Sequence, residues 1–125
     1  RHDRPAFMGG VETRYGPGSG PDGGSTVMWL RTVPLIEGEN GSGFQRICPL
    51  ADCGNATSRN GSFDDWAFLN TDLTINAHRQ PVGEWFALDS VSIWERDGIG
   101  LSDSVLLDVE GRVGRATQTL LIRPA

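Results

Sequence analysis

Gln118 is an amide placed where a strand should carry hydrocarbon. In residues 115–123, RATQTLLIR, alternate positions put Ala116, Gln118, Leu120 and Ile122 on one face. Arg115, Thr117, Thr119, Leu121 and Arg123 fall on the other. Side chains alternate along a strand, so Gln118 should point into the core with its apolar neighbours. A buried amide costs free energy unless it is hydrogen-bonded, so a polar partner is expected inside. Asp52 is the second residue of interest, a carboxylate directly after Leu50 and Ala51 in a stretch that reads as helix. A carboxylate can accept a proton, and an amide can both donate and accept hydrogen bonds. Spacing alone leaves plainer readings open: a solvated carboxylate at Asp52 and a structural amide at Gln118. Asn70 and Asp72 are most simply surface or interface polars, and His78 with Arg79 closes their strand. No G-x-S-x-G elbow occurs, so a Ser-His-Asp triad is not supported. The other histidine, His2, sits in a terminal segment expected to fray.

These residues need elements to carry them. Residues 6–15 read as a first strand, and 25–33, STVMWLRTV, as a second. In the second, Val27, Trp29 and Arg31 face one way and Met28, Leu30 and Thr32 the other. Between them, residues 16–24, GPGSGPDGG, read as an internal loop dense in Gly and Pro. Residues 44–56, FQRICPLADCGNA, form the one credible helix, with Phe44, Ile47, Leu50 and Ala51 at spacings of three and four. Pro49 inside it predicts either a kink or a start near Cys48, and Gly54 with Asn55 predicts a stop. Strands follow at 66–77, 84–96, 99–109 and 113–123. Turns at 81–83, Pro-Val-Gly, and at 110–111, Glu-Gly, separate the later strands. The first of these strands is taken as continuous, with Ala67, Leu69, Thr71, Leu73, Ile75 and Ala77 on one face. Phe68, Asn70, Asp72, Thr74 and Asn76 share the other. One helix against a long antiparallel sheet gives an α+β class with the helix on one sheet face. A single helix does not cover six strands, which leaves surface for a partner.

Bulk properties narrow the function classes. The 125 residues fit one domain, and a chain of this size buries roughly 65% of its unfolded surface. Eleven basic against sixteen acidic side chains give a net charge of -5, the wrong sign for nucleic-acid binding. No apolar run approaches the ~18 residues of a membrane-spanning helix, and no signal-peptide pattern is visible. The chain opens on Arg1 rather than Met, as a processed chain or a piece of a longer one would. Cys48 and Cys53 with two histidines make no metal set, and five apart on a helix they point in different directions. They read as small buried thiols of a cytoplasmic protein. Three N-x-S/T triplets, at Asn40, Asn55 and Asn60, are ascribed to chance in Gly/Ser/Asn-rich loops.

The order VETRYG, VMWLR, LADCGN, LNTDLTINAHRQPVGEW and GRVGRATQTLLIRP resembles the second half of double-hotdog thioesterases of the acyl-CoA thioesterase II type. The resemblance covers nearly the whole chain from about Phe7. Its most specific pieces are His78-Arg79 followed by Glu84-Trp85, and residues 114–118, GRATQ. It implies a single hotdog domain over residues 1–125, a central helix wrapped by a long antiparallel sheet, forming the C-terminal half of a double-hotdog protein. It also implies hydrolysis of fatty acyl-CoA to free acid and CoA, without a covalent acyl-enzyme and without a cofactor. Carried over, the helix carboxylate falls on Asp52 and the last-strand amide on Gln118. The hydroxyl position of such enzymes falls on Asn70, a departure, with Thr71 the neighbour that keeps a hydroxyl. The expected catalytic set is therefore Asp52, Asn70 and Gln118, and the expected partners are acyl-CoA and a second hotdog domain. A hotdog enoyl-CoA hydratase would need a His on the helix, and none lies between His2 and His78. The alternative from another class is a non-catalytic acyl-binding or structural half, which Asn70 favours.

Overall fold

The computed structural model describes residues 12–15, 26–31, 38, 40–58, 60–62 and 64–125. The expected strand residues 6–11, the loop at 16–24 and His2 lie outside them. The described strands are β1 (Glu12–Tyr15), β2 (Thr26–Arg31), β3 (Trp66–Asn70), β4 (Thr74–Ala77), β5 (Trp85–Trp94), β6 (Ile99–Asp108) and β7 (Gly111–Pro124). They form one antiparallel sheet in the order β1-β2-β5-β6-β7-β3, with β4 also paired to β7. The inner face follows from alternation: Met28 and Leu30 of β2, Phe86 and Leu88 of β5, Leu106 of β6 and Ala116 of β7 are buried together. Two helices among the described residues supply the rest, α1 (Gly43–Ala51) with buried Ile47, Leu50 and Ala51, and α2 (Gly54–Ser58). This is the α+β arrangement expected, with the helices on one face of the sheet.

The helix departs from expectation in its ends. It starts at Gly43, because Ser42 and Gln45 make a reciprocal capping box. Ser42 Oγ accepts from the Gln45 N–H at 3.1 Å, and Gln45 Oε1 accepts from the Ser42 N–H at 2.8 Å. Pro49 is accommodated inside α1, close enough to its end that few later bonds depend on it. The break comes at Asp52 and Cys53 instead. Gly54 and Asn55, read as a stop, are the first residues of α2. Asn55 has a tertiary task, since its Oδ1 accepts from Trp94 Nε1 at 2.8 Å. Asn60 likewise fastens β5, accepting from the Trp94 N–H and donating to Ser92 O, both at 2.8 Å. Both amides serve the fold.

The strand expected over 66–77 is two strands. β3 pairs with β7 as far as Asn70↔Leu120, and β4 resumes at Thr74↔Thr117. Three residues, 71–73, oppose two, 118–119, so one residue is extra and a bulge forms. The bulge is itself bonded: the Thr71 N–H donates to Thr119 O at 2.9 Å, and Asp72 Oδ1 accepts from the Thr119 N–H at 2.7 Å. Its consequence is a change of face. Asn70 lies opposite the inward Leu120, yet Ile75, an odd number of residues later, lies opposite the inward Ala116. The uninterrupted alternation expected for this stretch is therefore incorrect.

The far end of α1 is anchored to the loop that follows β4. The Phe44 N–H donates to Gln80 Oε1 at 3.1 Å, and Gly43 lies so close to the Pro81 carbonyl that no side chain would fit. That loop is clamped by Asp108, fully buried at the end of β6. Arg79 donates to it twice, at 2.6 and 2.7 Å, and the Val82 and Glu110 N–H groups donate at 2.9 and 2.8 Å.

Candidate active site

Gln118 is buried at 3% exposure, on the inner face of β7 between Ala116 and Leu120, as alternation predicts. The polar partner required of it is present. Gln118 Nε2 donates to Asp52 Oδ1 at 2.9 Å and to the Asp52 carbonyl at 3.1 Å. Asp52 is where it is because α1 ends there: it is the C-cap, and the following turn leads directly into α2. Its side chain is exposed rather than enclosed among the apolar helix residues that precede it. Asn70 reaches the same oxygen, its Nδ2 lying 3.4 Å from Asp52 Oδ1. The three residues come from α1, β3 and β7, and the bulge after Asn70 lies directly opposite Gln118.

Thr71 does not share in this. Its Oγ1 donates to Thr119 O at 3.3 Å, within the bulge. Asp72, expected as a surface polar, is a ladder surrogate for Thr119. His78 is exposed and its N–H donates to Val113 O. It borders an open groove of about 520 Å³ with Phe44, Ile75, Asn76 and Gln80, at the opposite end of α1 from Asp52. A second groove of about 370 Å³ lies between Phe68, Leu69, Gly98 and Leu121. Neither is lined by Asp52, Asn70 or Gln118.

One oxygen of Asp52 takes both amide donors, and Oδ2 accepts no hydrogen bond among the described residues. An amide pair on one oxygen fixes the carboxylate's orientation and leaves the other oxygen's lone pairs for a water. The neighbouring thiol offers no rival nucleophile. Burial, with a smaller contribution from the Asp52 charge, pushes the Cys53 thiol up to about 12. It stays protonated at neutral pH, and its Sγ points back to Pro49 O at 3.4 Å. Cys48 is likewise a free thiol raised by burial.

Sequence reasoning missed the polar floor beneath α2. Ser90 and Ser92 of β5 and Ser102 and Ser104 of β6 are all buried on the inner face. Ser102 is the direct cross-strand neighbour of Gln118. Ser90 and Ser104 share a hydrogen bond at 2.9 Å, and Ser92 pairs with Ser58 of α2 at 2.7 Å. The alternation that singles out Gln118 also places these four residues inward, in DSVSIW and LSDSV.

Comparisons with known proteins agree with this architecture. The family described as the acyl-CoA thioesterase C-terminal domain matches residues 1–122. No curated protein matches the chain. Among solved structures, a thioesterase family protein from Silicibacter pomeroyi is similar with a TM-score of 0.66 at 15% identity, over 98% of this chain and 91% of that one. The tesB protein of Mycobacterium avium subs. paratuberculosis is similar with a TM-score of 0.68 at 15% identity, over 99% of this chain. The similarity spans only 53% of that longer protein. A Bacillus halodurans protein solved with CoA gives a TM-score of 0.60 at 13% identity, over 78% of this chain and 66% of that one. The fold is the hotdog fold, and family and fold together support thioester hydrolysis as the reaction class.

Proposed function

Because this chain belongs to the acyl-CoA thioesterase C-terminal domain family, we propose that it hydrolyses fatty acyl-CoA by way of a water activated at Asp52. One observation carries the reading: the Gln118 and Asn70 amides converge on a single oxygen of an exposed carboxylate, and its second oxygen is unbonded among the described residues. Asp52 takes a proton from the water as its oxygen bonds to the thioester carbonyl carbon. Collapse of the tetrahedral adduct breaks the C–S bond, and the proton passes to the departing sulfur, giving free acid and CoA thiol. Gln118 and Asn70 orient the carboxylate. Asn70 stands where the family resemblance implies a hydroxyl, and an amide offers both a donor and an acceptor in its place.

We further propose that the domain works paired with a second hotdog, either a preceding half of a longer chain or another copy. Two observations support this. The β3 and β4 strands lie at a sheet edge beside Asn70. The Mycobacterium protein is about twice as long as the stretch matched. The free thiols Cys48 and Cys53 suit a reducing compartment such as the cytoplasm.

The test is release of free thiol from long-chain acyl-CoA by the purified protein, with its mass in solution measured by multi-angle light scattering. Turnover by a paired species supports the reading. Acyl-CoA binding without turnover would move the protein to the non-catalytic alternative. An active monomer of 13.5 kDa would sink the pairing.

A further inference from the structure

The turn that carries Asp52 runs unusually close to the sheet, and the contact is at Gly54. A Cβ built on Gly54 would lie 2.6 Å from Ser102 Oγ and 2.6 Å from Ser104 Oγ, nearer than any side chain tolerates. The next atom, Ser102 Cβ, lies at 3.8 Å, an ordinary contact. The obstruction is thus the two hydroxyl oxygens and nothing else within that distance. Neither is free to swing into open space, since Ser102 and Ser104 are buried at 1% and 2% exposure. Gly54 is not needed for its backbone freedom. It lies in helical conformation, without a positive φ, where alanine is intrinsically the better residue.

The place of this contact gives it a consequence. Gly54 is two residues after Asp52, and Ser102 is the cross-strand neighbour of Gln118. The contact therefore sets how deep the α1–α2 turn sits immediately beside the Asp52–Gln118 pair. The other end of α2 is fastened to the same floor, as Ser58 Oγ donates to Gly54 O at 2.6 Å and pairs with Ser92 Oγ at 2.7 Å. A helix fixed at Ser58 and lifted at Gly54 must tilt, and the lift falls on the end nearest Asp52.

We propose that Gly54 is a positioning residue for the proposed hydrolysis, its missing side chain letting the turn settle on the Ser102 and Ser104 hydroxyls and so fixing Asp52 at bonding distance from Gln118. This rests on Asp52 being the base, and it adds residues that touch neither water nor substrate. Ser102 Oγ has no hydrogen-bond partner among the described residues, and removing Ser104 Oγ costs one bond, to Ser90 Oγ at 2.9 Å, whose effect the double variant measures by itself. That permits a test by compensation.

Four proteins decide it: wild type, Gly54→Ala, the Ser102→Ala/Ser104→Ala double variant, and the triple variant. Two readouts are followed, acyl-CoA turnover and the side-chain amide signal of Gln118 in a ¹⁵N–¹H spectrum, assigned by its loss in Gln118→Leu. Gly54→Ala is expected to lower kcat by about tenfold or more, with KM changed less than about threefold, and to shift the Gln118 signal. The triple variant is expected to return kcat to within about threefold of the double variant and to restore the signal. Should Gly54→Ala fail to fold, the triple variant must still fold and keep the signal. Wild-type turnover and an unmoved signal in Gly54→Ala overturn the proposal, as does a triple variant no better than the single. If no protein hydrolyses acyl-CoA, the functional reading fails, while the amide signal still decides whether Gly54 positions Asp52.

Discussion

Asp52 and Asp108 are both held by donors at the two ends of α1, and they are opposites. Asp108 is buried and takes four donors, two from Arg79 and one each from the Val82 and Glu110 backbone. Both of its oxygens are occupied. The Arg79 hydrogen bonds, helped by the two backbone N–H groups and opposed by burial, hold its carboxyl well below the usual carboxylate range. Asp52 is exposed and has side-chain donors on one oxygen only. A carboxylate with every lone pair engaged stabilises a fold and accepts no proton in ordinary conditions. A carboxylate oriented through one oxygen keeps the other for chemistry. Each sits at one end of the system built around α1: Asp108 clamps the loop against its N-terminus, and Asp52 is its C-cap. The difference predicts that changes at the two sites separate activity from stability.

The largest effect is expected at Asp52. Replacing Asp52 with Asn removes the base and keeps the size, so kcat for acyl-CoA should fall about 10²–10⁴-fold. The melting temperature should stay close to wild type, because an exposed side chain contributes little burial. Steady-state kinetics beside a thermal melt read both, and wild-type turnover would sink the mechanism.

Gln118→Leu comes next. Leucine suits the face shared with Ala116, Leu120 and Ile122, and it removes an amide that must otherwise be satisfied. Activity should be lost as Asp52 loses its 2.9 Å donor, with a melting temperature near or above wild type. Unchanged turnover in a stable variant makes Gln118 a structural amide and erases the contrast with Asp108.

How far each site was legible in the sequence follows from what kind of pattern encodes it. Gln118 shows up because a polar residue interrupts an apolar face and an unsatisfied amide demands a partner, while Asp52 as that partner follows only from the family resemblance. The sheet order after Trp66 follows from alternation and turn residues. The bulge at 71–73 does not, since polar and apolar residues go on alternating through LNTDLTINA while the backbone slips by one. Asn70 is exposed, as its reading as a surface polar expects, and its place beside Asp52 follows from its pairing with Leu120. The helix break at Asp52 was invisible for a related reason. Gly54 is dictated by the distance to two serines nearly fifty residues later, and no local rule contains that distance. Asp108 ends a strand beside Val109 and Glu110, where an acidic residue normally marks a turn. Its partner Arg79 reads in the sequence only as the neighbour of His78 and as part of the motif that carries the family resemblance.

Asp108→Asn tests the other half of the comparison. An amide here turns a donor toward Arg79 or toward a backbone N–H, leaving buried groups unpaired. Removing one member of a buried pair costs about 3–5 kcal/mol, and the low end applies because Arg79 keeps 30% of its side chain in water. The urea midpoint should drop accordingly, while kcat of the folded protein stays within about threefold of wild type. A loss of turnover without a loss of stability would place Asp108 with the reaction instead.

The smallest effect is a slope. A group whose pKa is depressed by folding stabilises the native state above its unfolded value, which for Asp is about 3.9. That contribution is lost as the pH falls through the unfolded value toward the lower folded one. For Asp108 the shift is downward, so wild-type stability should decline from about pH 5 toward pH 2. Asp108→Asn has no such proton to bind. It starts less stable at pH 7, and its urea midpoint should vary less with pH over the same window. The two curves should draw together as acid protonates the wild-type carboxylate. Parallel curves between pH 5 and pH 2 would mean that Asp108 is not depressed by the Arg79 clamp, and that its difference from Asp52 is one of burial alone.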